Sequence, residues 1–188
     1  MRQVAATKMT FSDENLWYCL KTRPRQEMMA KQRLRSEVGV DVFCPMLRFE
    51  RARRSGRARV TEAMFPGYIF ANFRYALQHR QIASSNGIAT IVSFGGLPAV
   101  VSGDIIDELR ASVSCEETVE IPTVINPGEE VSVIEGPFKG LRAIVTRVVP
   151  ARARVHILLE LLGMEREIEV SEKAVLPDIF HPLVGNAV

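Results

Sequence analysis

The chain of 188 residues is 47% hydrophobic and 24% charged, a composition typical of a globular protein and not of a disordered one. Its length suits one ordinary domain, or a larger and a smaller one. Its three cysteines include no Cys-x-x-Cys pair, which argues against a zinc site and a disulfide framework. No apolar run approaches the roughly 20 residues of a membrane span, so the sequence predicts a soluble cytoplasmic protein.

The net formal charge of +2 conceals a separation of charge along the chain. Residues 21–59 contain twelve Lys and Arg against four Asp and Glu, a local net charge of +8, and the remainder carries −6. Such a concentrated basic stretch suggests a local surface that faces phosphate groups. A solvated charged face is the alternative interpretation, because a charge count does not identify a ligand.

The first predicted elements are a strand and a helix. The apolar run Leu16–Leu20 indicates a strand, and Pro24 suits the first turn of a helix that continues to about Glu37. Apolar residues recur every four positions along this helix at Ala30, Leu34 and Val38, with Met28 or Met29 extending the stripe. The stripe is predicted to be core, and Gly39 is predicted to end the helix.

Strands and tight turns follow. A strand over Val40–Leu47 is interrupted by Pro45, and the segment Arg51–Arg59 predicts a basic hairpin with its turn at Ser55-Gly56. The stretch Phe65–Phe70 then begins a strand at a Pro-Gly corner and continues to Phe73. Because strand side chains alternate, Tyr68 and Phe70 share one face of it. That face is either core or an apolar docking surface.

Two helices and a strand complete the N-terminal region. Tyr75–Ser84 has helical composition, Ile88–Phe94 predicts a strand, and a last helix runs from Ser102 or Asp104 to about Cys115. Ile105, Ile106 and Leu109 are predicted to share the buried face of this helix. The pattern predicts an α+β domain with an antiparallel sheet flanked by helices.

The C-terminal region differs in kind. Residues 116–127 carry Pro122 and Pro127 without a helical stripe and are predicted to be a linker. From Gly128 to Pro177 the chain reads as short strands and tight turns, which predicts a small β-barrel with a modest core.

Two stretches resemble a known family. Phe65–Phe70, preceded by the Trp17-Tyr18 strand and an arginine-bearing helix, resembles the N-terminal domain of the NusG family of transcription elongation factors. Gly128–Val131 and Glu135–Gly140 resemble the family's C-terminal KOW motif. The residue patterns and the resemblance together predict a flexible N-terminus (1–15), a NusG-like domain (16–115), a linker (116–127), an SH3-like KOW barrel (128–177) and a C-terminal tail (178–188).

Within the family, the chain resembles the specialised RfaH-like branch of antitermination factors. The features that carry this are Cys44-Pro45-Met46 before the basic hairpin and the segment Phe94–Val101. The resemblance implies a monomeric bacterial factor, associated with the nucleoid, that rides on elongating RNA polymerase and suppresses pausing or termination. It implies no cofactor and no catalytic residues.

The resemblance also implies which residues bind the polymerase. Residues at matched positions would line an apolar cavity for the polymerase clamp helices: Phe65, Pro66, Tyr68, Phe70, Phe94 and Ile106. Core packing is the alternative for each, and Phe70 or Ile106 is expected to be partly core in either case. Gln78, His79 and Arg80 align with a segment that touches the opposite side of the polymerase cleft, although the His-Thr-Thr run found there is lacking.

Four arginines fall where RfaH-like proteins contact the exposed non-template DNA strand: Arg23, Arg33, Arg35 and Arg54. Guanidinium groups suit this contact because they bind phosphate bidentately and stack on unpaired bases. Arg51, Arg53, Arg57 and Arg59 would extend the electrostatic footprint.

The KOW domain in this family contacts a small-subunit ribosomal protein or the termination factor Rho. Phe138, which follows Gly136-Pro137, is the predicted exposed anchor, with a core position as the alternative. In RfaH this domain can rest as a helical hairpin, and Glu62 and Arg154 fall where that protein forms an interdomain salt bridge. The β-branched run Ala143–Val149 favours strands instead.

A second class of function is a KOW-type RNA-binding or ribosome-associated protein without polymerase contact. It would account for the barrel and the arginines but would leave the Phe65–Phe70 face unexplained. An enzyme has little support, since His79, His156 and His181 lack metal-ligand spacing and no nucleophile motif or phosphate-binding glycine loop is present.

Overall fold

The computed structural model describes residues 14–113 and 117–178. Cys115, nearly all of the predicted flexible N-terminus and nearly all of the predicted C-terminal tail lie outside the described residues. The chain forms two compact units. The N-terminal unit comprises the residues up to Met46 and those from Ala63 to Val119, and the C-terminal unit comprises Leu47–Glu62 and the residues from Glu120 onward.

Eighteen regular elements follow one another in the described residues, apart from short 3₁₀ and π turns. In the N-terminal half they are β1 (Asn15–Thr22), α1 (Glu27–Arg33), β2 (Asp41–Phe43), β3 (Met46–Arg53), β4 (Gly56–Ala63), β5 (Tyr68–Arg74), α2 (Tyr75–Ser84), β6 (Ile88–Ile91), β7 (Ser93–Phe94), β8 (Leu97–Pro98), β9 (Val100–Val101) and α3 (Gly103–Ser112). The remaining elements are β10 (Thr118–Glu120), β11 (Glu130–Val133), β12 (Arg142–Val149), β13 (Arg154–Leu161), β14 (Met164–Ser171) and β15 (Val175–Pro177).

The N-terminal unit is built on a five-stranded antiparallel sheet with β1 at its centre. The strand order is β2-β5-β1-β6, and β9 also pairs with β1. Neighbouring residues Trp17 and Tyr18 point to opposite faces of β1 and are both buried, because both faces of the sheet are covered there. The predicted α+β class with an antiparallel sheet and flanking helices is confirmed.

Helix α1 differs in one respect from its predicted stripe. Ala30 and Leu34 are fully buried as predicted, but Met28 and Met29 are 49% and 36% exposed. Successive helical residues are about 100° apart, so positions one and two before Ala30 turn away from its face. A π turn at Leu34–Val38 follows, and Gly39, with φ of 72°, ends the helical segment as predicted.

Helix α3 also departs from the prediction. Ile106 is fully buried and Leu109 packs beside it, but Ile105 is 51% exposed. The expectation that all three share one buried face was therefore wrong for Ile105. Adjacent residues of a helix cannot both lie at the centre of one face.

The C-terminal unit is strand-rich, as predicted. Its five-stranded antiparallel sheet has the order β14-β13-β12-β11-β15 and a core that includes Val131, Val145, Val155 and Ile157. The segments that a helical hairpin would use are strands β12 and β13 in this structure. The segment with linker composition contains strand β10, which joins β3 and β4 in a three-stranded sheet.

Candidate functional site

The two faces of the N-terminal sheet are covered to different extents. Helices α1 and α2 cover one face, where Leu34 and Ile82 pack on Tyr18, Leu20 and Ile69. On the other face α3 covers Trp17 and Phe43 through Ile106, with Phe70 at the margin of this cluster. Cys19 and Phe70 are directly opposite one another across β1 and β5, and Lys21 and Tyr68 form the next pair but one. We call the face that α3 covers only in part the half-covered face. It continues along β1 and β5 towards the Pro-Gly corner that precedes β5.

The N–H and the carbonyl oxygen of Gly67 at this corner are held by one residue of α1 and one residue of β1. The N–H of Gly67 donates to Glu27 Oε1 at 2.7 Å, and the N–H of Thr22 donates to the Gly67 carbonyl oxygen at 2.8 Å. Gly67 has φ of 82°, a conformation that side-chain-bearing residues rarely adopt. The Tyr68 N–H closes the turn by donating to the carbonyl oxygen of Phe65 at 3.0 Å. The direction in which β5 starts is thus fixed.

The aromatic residues after the corner divide between core and surface. Phe70 is half-buried, with ring centroids 6.5 Å from Phe43 and 5.6 Å from Phe65. Tyr68 is 38% exposed, Pro66 is exposed and Phe65 is half-buried. The corner thus offers an apolar surface formed by Phe65, Pro66 and Tyr68.

A two-stranded hairpin of β7 and β8 adds further apolar side chains. Phe94 at its turn is 74% exposed, and Leu97 after the turn is 50% exposed. The hairpin is anchored at β1, since the Val92 N–H donates to the Cys19 carbonyl oxygen at 2.9 Å and the Ala99 N–H donates to the Val92 carbonyl oxygen at 2.8 Å. Leu97 was not among the predicted site residues. Val100 on β9 and Ile105 on α3 are also exposed and were also not among them.

Ile106 lies elsewhere than on this surface. It is 0% exposed and packs with Trp17 and Phe43, so its side chain belongs to the core. Arg110 secures the same helix: its guanidinium lies 5.0 Å from the Trp17 ring centroid, and Nη2 lies 2.7 Å from Asp41 Oδ2. The cation–π contact and the ion pair hold α3 over this half of the sheet.

The predicted second contact lies on helix α2. Gln78 accepts a hydrogen bond from the Arg74 N–H at 3.0 Å and so satisfies a free donor at the start of the helix. The His79 ring stacks on Tyr75 at a centroid distance of 4.9 Å, with Nδ1 2.7 Å from the Tyr75 carbonyl oxygen. Arg80 is exposed. Gln78 and His79 therefore have local structural partners.

The four predicted DNA-contacting arginines are not equivalent. Arg23 and Arg54 are exposed. Arg33 pairs with Glu37 at 3.2 Å within the same helical segment. Arg35 donates from Nη2 to the Val42 carbonyl oxygen at 2.6 Å and to Glu117 Oε1 at 3.1 Å. Asp41 Oδ1 lies 3.8 Å from the same nitrogen, so the guanidinium already has three partners.

Glu117 is the centre of a charged cluster in the N-terminal unit. Lys31 Nζ lies 2.6 Å from its Oε2, and the Cys44 N–H donates to the same oxygen at 3.3 Å. Burial alone would raise the pKa of Glu117, but the hydrogen bonds from Lys31 and Cys44 and the charges of Lys31 and Arg35 lower it below its ordinary value.

The basic hairpin of β3 and β4 also contains internal ion pairs. Arg51 is bound by both oxygens of Glu62, and Arg57 pairs with Glu50. An open groove of about 410 Å³ beside them is lined by Arg48, Arg57 and Arg59 together with Glu120. Arg53 and Arg54 at the tip are exposed.

Residues predicted for partner binding in the C-terminal unit also divide. Gly136, with φ of 86°, is exposed, whereas Phe138 is half-buried and packs against the core of this unit. Leu162, which sequence reasoning missed, is 99% exposed with φ of 54°. Glu62 and Arg154 have other partners in this structure: Glu62 binds Arg51, and Arg154 lies 3.6 Å from Glu169.

Neither of the two described thiols, Cys19 and Cys44, is activated by its surroundings. Burial raises the pKa of Cys44 to about 12 and also raises that of Cys19. Within the two described ranges, no group of three His, Cys, Asp or Glu side chains is placed to hold a metal ion. In the same residues, no helix is long and apolar enough to cross a membrane.

Comparisons with known proteins agree with this architecture. Residues 15–110 match the family described as transcription termination factor NusG, and residues 127–157 match the KOW motif. Among curated proteins, the transcription termination/antitermination protein NusG of Thermus thermophilus is 24% identical over 172 residues, covering 82% of this chain and 94% of its own. The protein of the same name from Rickettsia bellii is 22% identical over 169 residues, covering 85% of this chain and 88% of its own.

Solved structures were also found to be similar. Thermotoga maritima NusG is 19% identical, with 87% of this chain and 97% of that chain covered and a TM-score of 0.39. A chain of the MjSpt4:Spt5 complex is 19% identical, with 88% of this chain and 99% of that chain covered and a TM-score of 0.36. The match over residues 15–110 spans half of the chain, and the KOW motif follows it. The chain is therefore a member of the NusG family of transcription termination and antitermination proteins.

Proposed function

We propose that this protein is an elongation and antitermination factor that binds RNA polymerase through the half-covered face of its N-terminal sheet. The observation that carries the proposal is the exposure of two aromatic side chains, Phe94 (74%) on the β7–β8 hairpin and Tyr68 (38%) at the corner before β5. The backbone of that corner is fixed by hydrogen bonds of Gly67 with Glu27 and Thr22. Large apolar side chains held rigidly at a surface are what a protein partner requires. Phe65 and Pro66 belong to this surface, Phe70 supports it from below, and Ile106 supports α3 from the core.

We propose that Arg23 and Arg54 contact the non-template DNA strand. Both side chains are exposed. Arg33 contributes less to this DNA contact, because Glu37 partly neutralises its charge. Arg35 mainly binds Glu117 and the backbone of β2. The predicted second polymerase contact lies on α2, and we assign it to Arg80, whose side chain is exposed. Gln78 and His79 make hydrogen bonds to the backbone at the start of this helix instead.

In the C-terminal unit, we propose that a ribosomal protein or Rho binds near the turn that contains Gly136. Phe138 supports this turn from the core, and the exposed Leu162 is the more accessible apolar anchor. The RfaH-like specialised role remains part of the proposal and rests on Cys44-Pro45-Met46 and the Phe94–Val101 segment. In a resting helical form of this unit, Glu62 and Arg154 would pair with each other. Glu62 would first have to release Arg51, and Arg154 would have to release Glu169.

Retention on immobilised RNA polymerase, treated with nuclease to remove nucleic acid, tests the proposal. Phe94→Ala and Tyr68→Ala are expected each to weaken retention by about tenfold or more, as truncation of an interface anchor does. Leu162→Ala, which removes an exposed apolar side chain from the other unit, is the matched control and is expected to be retained normally. Equal retention of all variants would contradict the assigned surface.

Transcription through a terminator in vitro tests the functional consequence. Readthrough is expected to rise with the wild-type protein and to return to the basal level with Phe94→Ala. Templates with different leader sequences distinguish a specialised factor, which acts on some leaders, from a general one, which acts on all. Binding to RNA with no retention on polymerase would favour a KOW-type RNA-binding protein instead.

A further inference from the structure

A second exposed face of the C-terminal unit lies on its sheet and is separate from the Gly136 turn. Ile144 on β12 is 47% exposed, and its partner across the ladder to β13 is the half-buried Leu158. The next residue in that row, on β14, is Glu167. These three side chains point away from the core, since Ala143, Val145, Ile157 and Leu159 on the alternate positions are buried.

Carboxylates surround the two apolar side chains. Glu130 pairs with Ile144 across β11 and β12, and Glu160 is directly opposite Glu165 across β13 and β14. A shallow groove of about 180 Å³ is lined by these three glutamates together with Ile144 and Leu158. Arg142 also borders the groove, but its guanidinium lies 3.1 Å from Asp178 and is neutralised there.

The opposed pair Glu160 and Glu165 is unfavourable for the isolated protein. Like charges directly opposite on neighbouring strands repel one another and destabilise a sheet. Among the described residues neither carboxylate forms an ion pair, and Arg142, the cation that borders the groove, pairs with Asp178 instead. A cation supplied by a partner would relieve the repulsion, and an apolar side chain beside that cation would cover Ile144.

We infer that this face, with Ile144 and Leu158 at its centre and Glu130, Glu160 and Glu165 at its rim, binds a basic protein segment that carries an apolar side chain between cationic ones. Charge complementarity selects this partner, because carboxylates attract Lys and Arg and repel phosphate groups. Nucleic acid is accordingly excluded from this face, although the arginine-rich hairpin attracts it. The inference rests on the proposed function only in assigning protein recruitment to the C-terminal unit.

Chemical shifts of the isotope-labelled full-length protein provide the test. The probe is a seven-residue synthetic peptide in which Lys alternates with Leu, and its matched controls carry Glu for Lys or Ser for Leu. The Lys-Leu peptide is expected to shift the methyl resonances of Ile144 and Leu158, and both controls are expected to bind more weakly. Unchanged Ile144 and Leu158 resonances at saturating peptide, or equal binding of the Glu peptide, would overturn the inference.

Two variants identify the charges responsible. Glu160→Gln combined with Glu165→Gln is expected to weaken peptide binding by about five- to tenfold at low salt, while Glu108→Gln, an exposed glutamate of α3 outside the groove, leaves it unchanged. The double variant is also expected to unfold at the same or a higher temperature, because it removes a like-charge repulsion. Unaltered affinity of the double variant would refute the assigned role of the two carboxylates.

The alternative occupants have their own signatures. A single-stranded oligonucleotide that shifts Ile144 and Leu158 would show a nucleic-acid surface and overturn the inference. Shifts of the same residues that depend on protein concentration without peptide would show self-association and also overturn it. Because retention on polymerase through Tyr68 and Phe94 is measured separately, its success or failure is independent of this face.

Discussion

Lys31 Nζ lies 2.6 Å from Glu117 Oε2, a contact that joins helix α1 to a residue 86 positions later in the chain. The Lys31 side chain is only 11% exposed, so this carboxylate compensates a charge that has little access to water. The same carboxylate binds Arg35 and the Cys44 N–H. The cluster ties the end of the N-terminal unit to its first helix.

Replacing Glu117 with Gln should therefore destabilise the protein. The expected loss is about 1–3 kcal/mol in the free energy of unfolding, because a nearly buried ammonium group loses its counter-charge. Urea unfolding measures it. Glu108→Gln, an exposed residue of α3, is the matched control and should change stability by less than about 0.5 kcal/mol.

The free energy of unfolding should depend on pH in part through the ionisation of Glu117. Since folding lowers the pKa of Glu117, its stabilisation is fully present above the ordinary glutamate value of about 4.3 and is lost as pH falls through the lower folded value. The acid side of the stability profile should consequently be flatter in Glu117→Gln. Parallel profiles for the variant and the wild type would contradict the assignment.

Removing the Arg110 guanidinium should loosen α3. Arg110→Ala loses the contacts with Trp17, Phe43 and Asp41, and we expect a destabilisation of about 0.5–2 kcal/mol in urea unfolding. Arg80→Ala, on the exposed side of α2, is the control and should be close to neutral. If Arg110→Ala and Arg80→Ala had equal effects, the contacts of the Arg110 guanidinium would contribute nothing to the free energy of unfolding.

The hydrogen bond from Gly67 to Glu27 can be tested at the level of one amide. Glu27→Ala should accelerate hydrogen exchange of the Gly67 N–H, because its acceptor is removed. Glu27→Gln keeps an oxygen acceptor and should preserve most of the protection. Similar exchange rates in the wild type and Glu27→Ala would show that the corner is held by the Thr22 hydrogen bond alone.

Two phenylalanines of the N-terminal unit, Phe43 and Phe94, should differ sharply in their effect on stability. Phe43 is fully buried, so Phe43→Ala should cost about 3–5 kcal/mol through the cavity that it leaves. Phe94→Ala should change the free energy of unfolding by less than about 0.5 kcal/mol, because that ring is exposed. Thermal and urea unfolding measure both, and a destabilised Phe94→Ala would place its ring in the core.

Cys44 should be inert in the folded protein. Burial raises the pKa of its thiol to about 12, and the thiolate is the reactive form. Iodoacetamide at neutral pH, followed by mass spectrometry, should label Cys44 only after unfolding in urea, whereas the half-buried Cys19 reacts sooner. Rapid native labelling of Cys44 would contradict its burial.

Local patterns predicted much of the fold. The helix Tyr75–Ser84 and the left-handed Gly39 follow from residues within a few positions of one another, and both are confirmed. The basic hairpin is confirmed as well, but its turn lies at Arg54-Ser55, one residue earlier than the predicted Ser55-Gly56. The corner before β5 was predicted in the same way from the pair Pro66-Gly67. Its role in binding stays a prediction.

Distant contacts could not be predicted. Arg35 is exposed as predicted, but its ion pair was not predicted, because nothing near it in sequence marks Glu117, which is 82 positions away, as its partner. Ile105 and Ile106 have the same side chain, and only the direction from which α3 packs decides that Ile106 is buried. The acidic face of the C-terminal sheet was missed because it depends on the register between β13 and β14.

The N-terminal unit is discontinuous in sequence: it ends at Met46 and resumes at Ala63. Its central strand β1 is synthesised first, yet the strands that pair with it are β5, β6 and β9. On the ribosome, β1 must therefore wait unpaired until those later strands have emerged, and such non-local pairing is slow to form. The sheet of the N-terminal unit is thus complete only after Val101 has emerged, and shortening the chain before residue 101 would remove part of β9, the last of the strands that pair with β1.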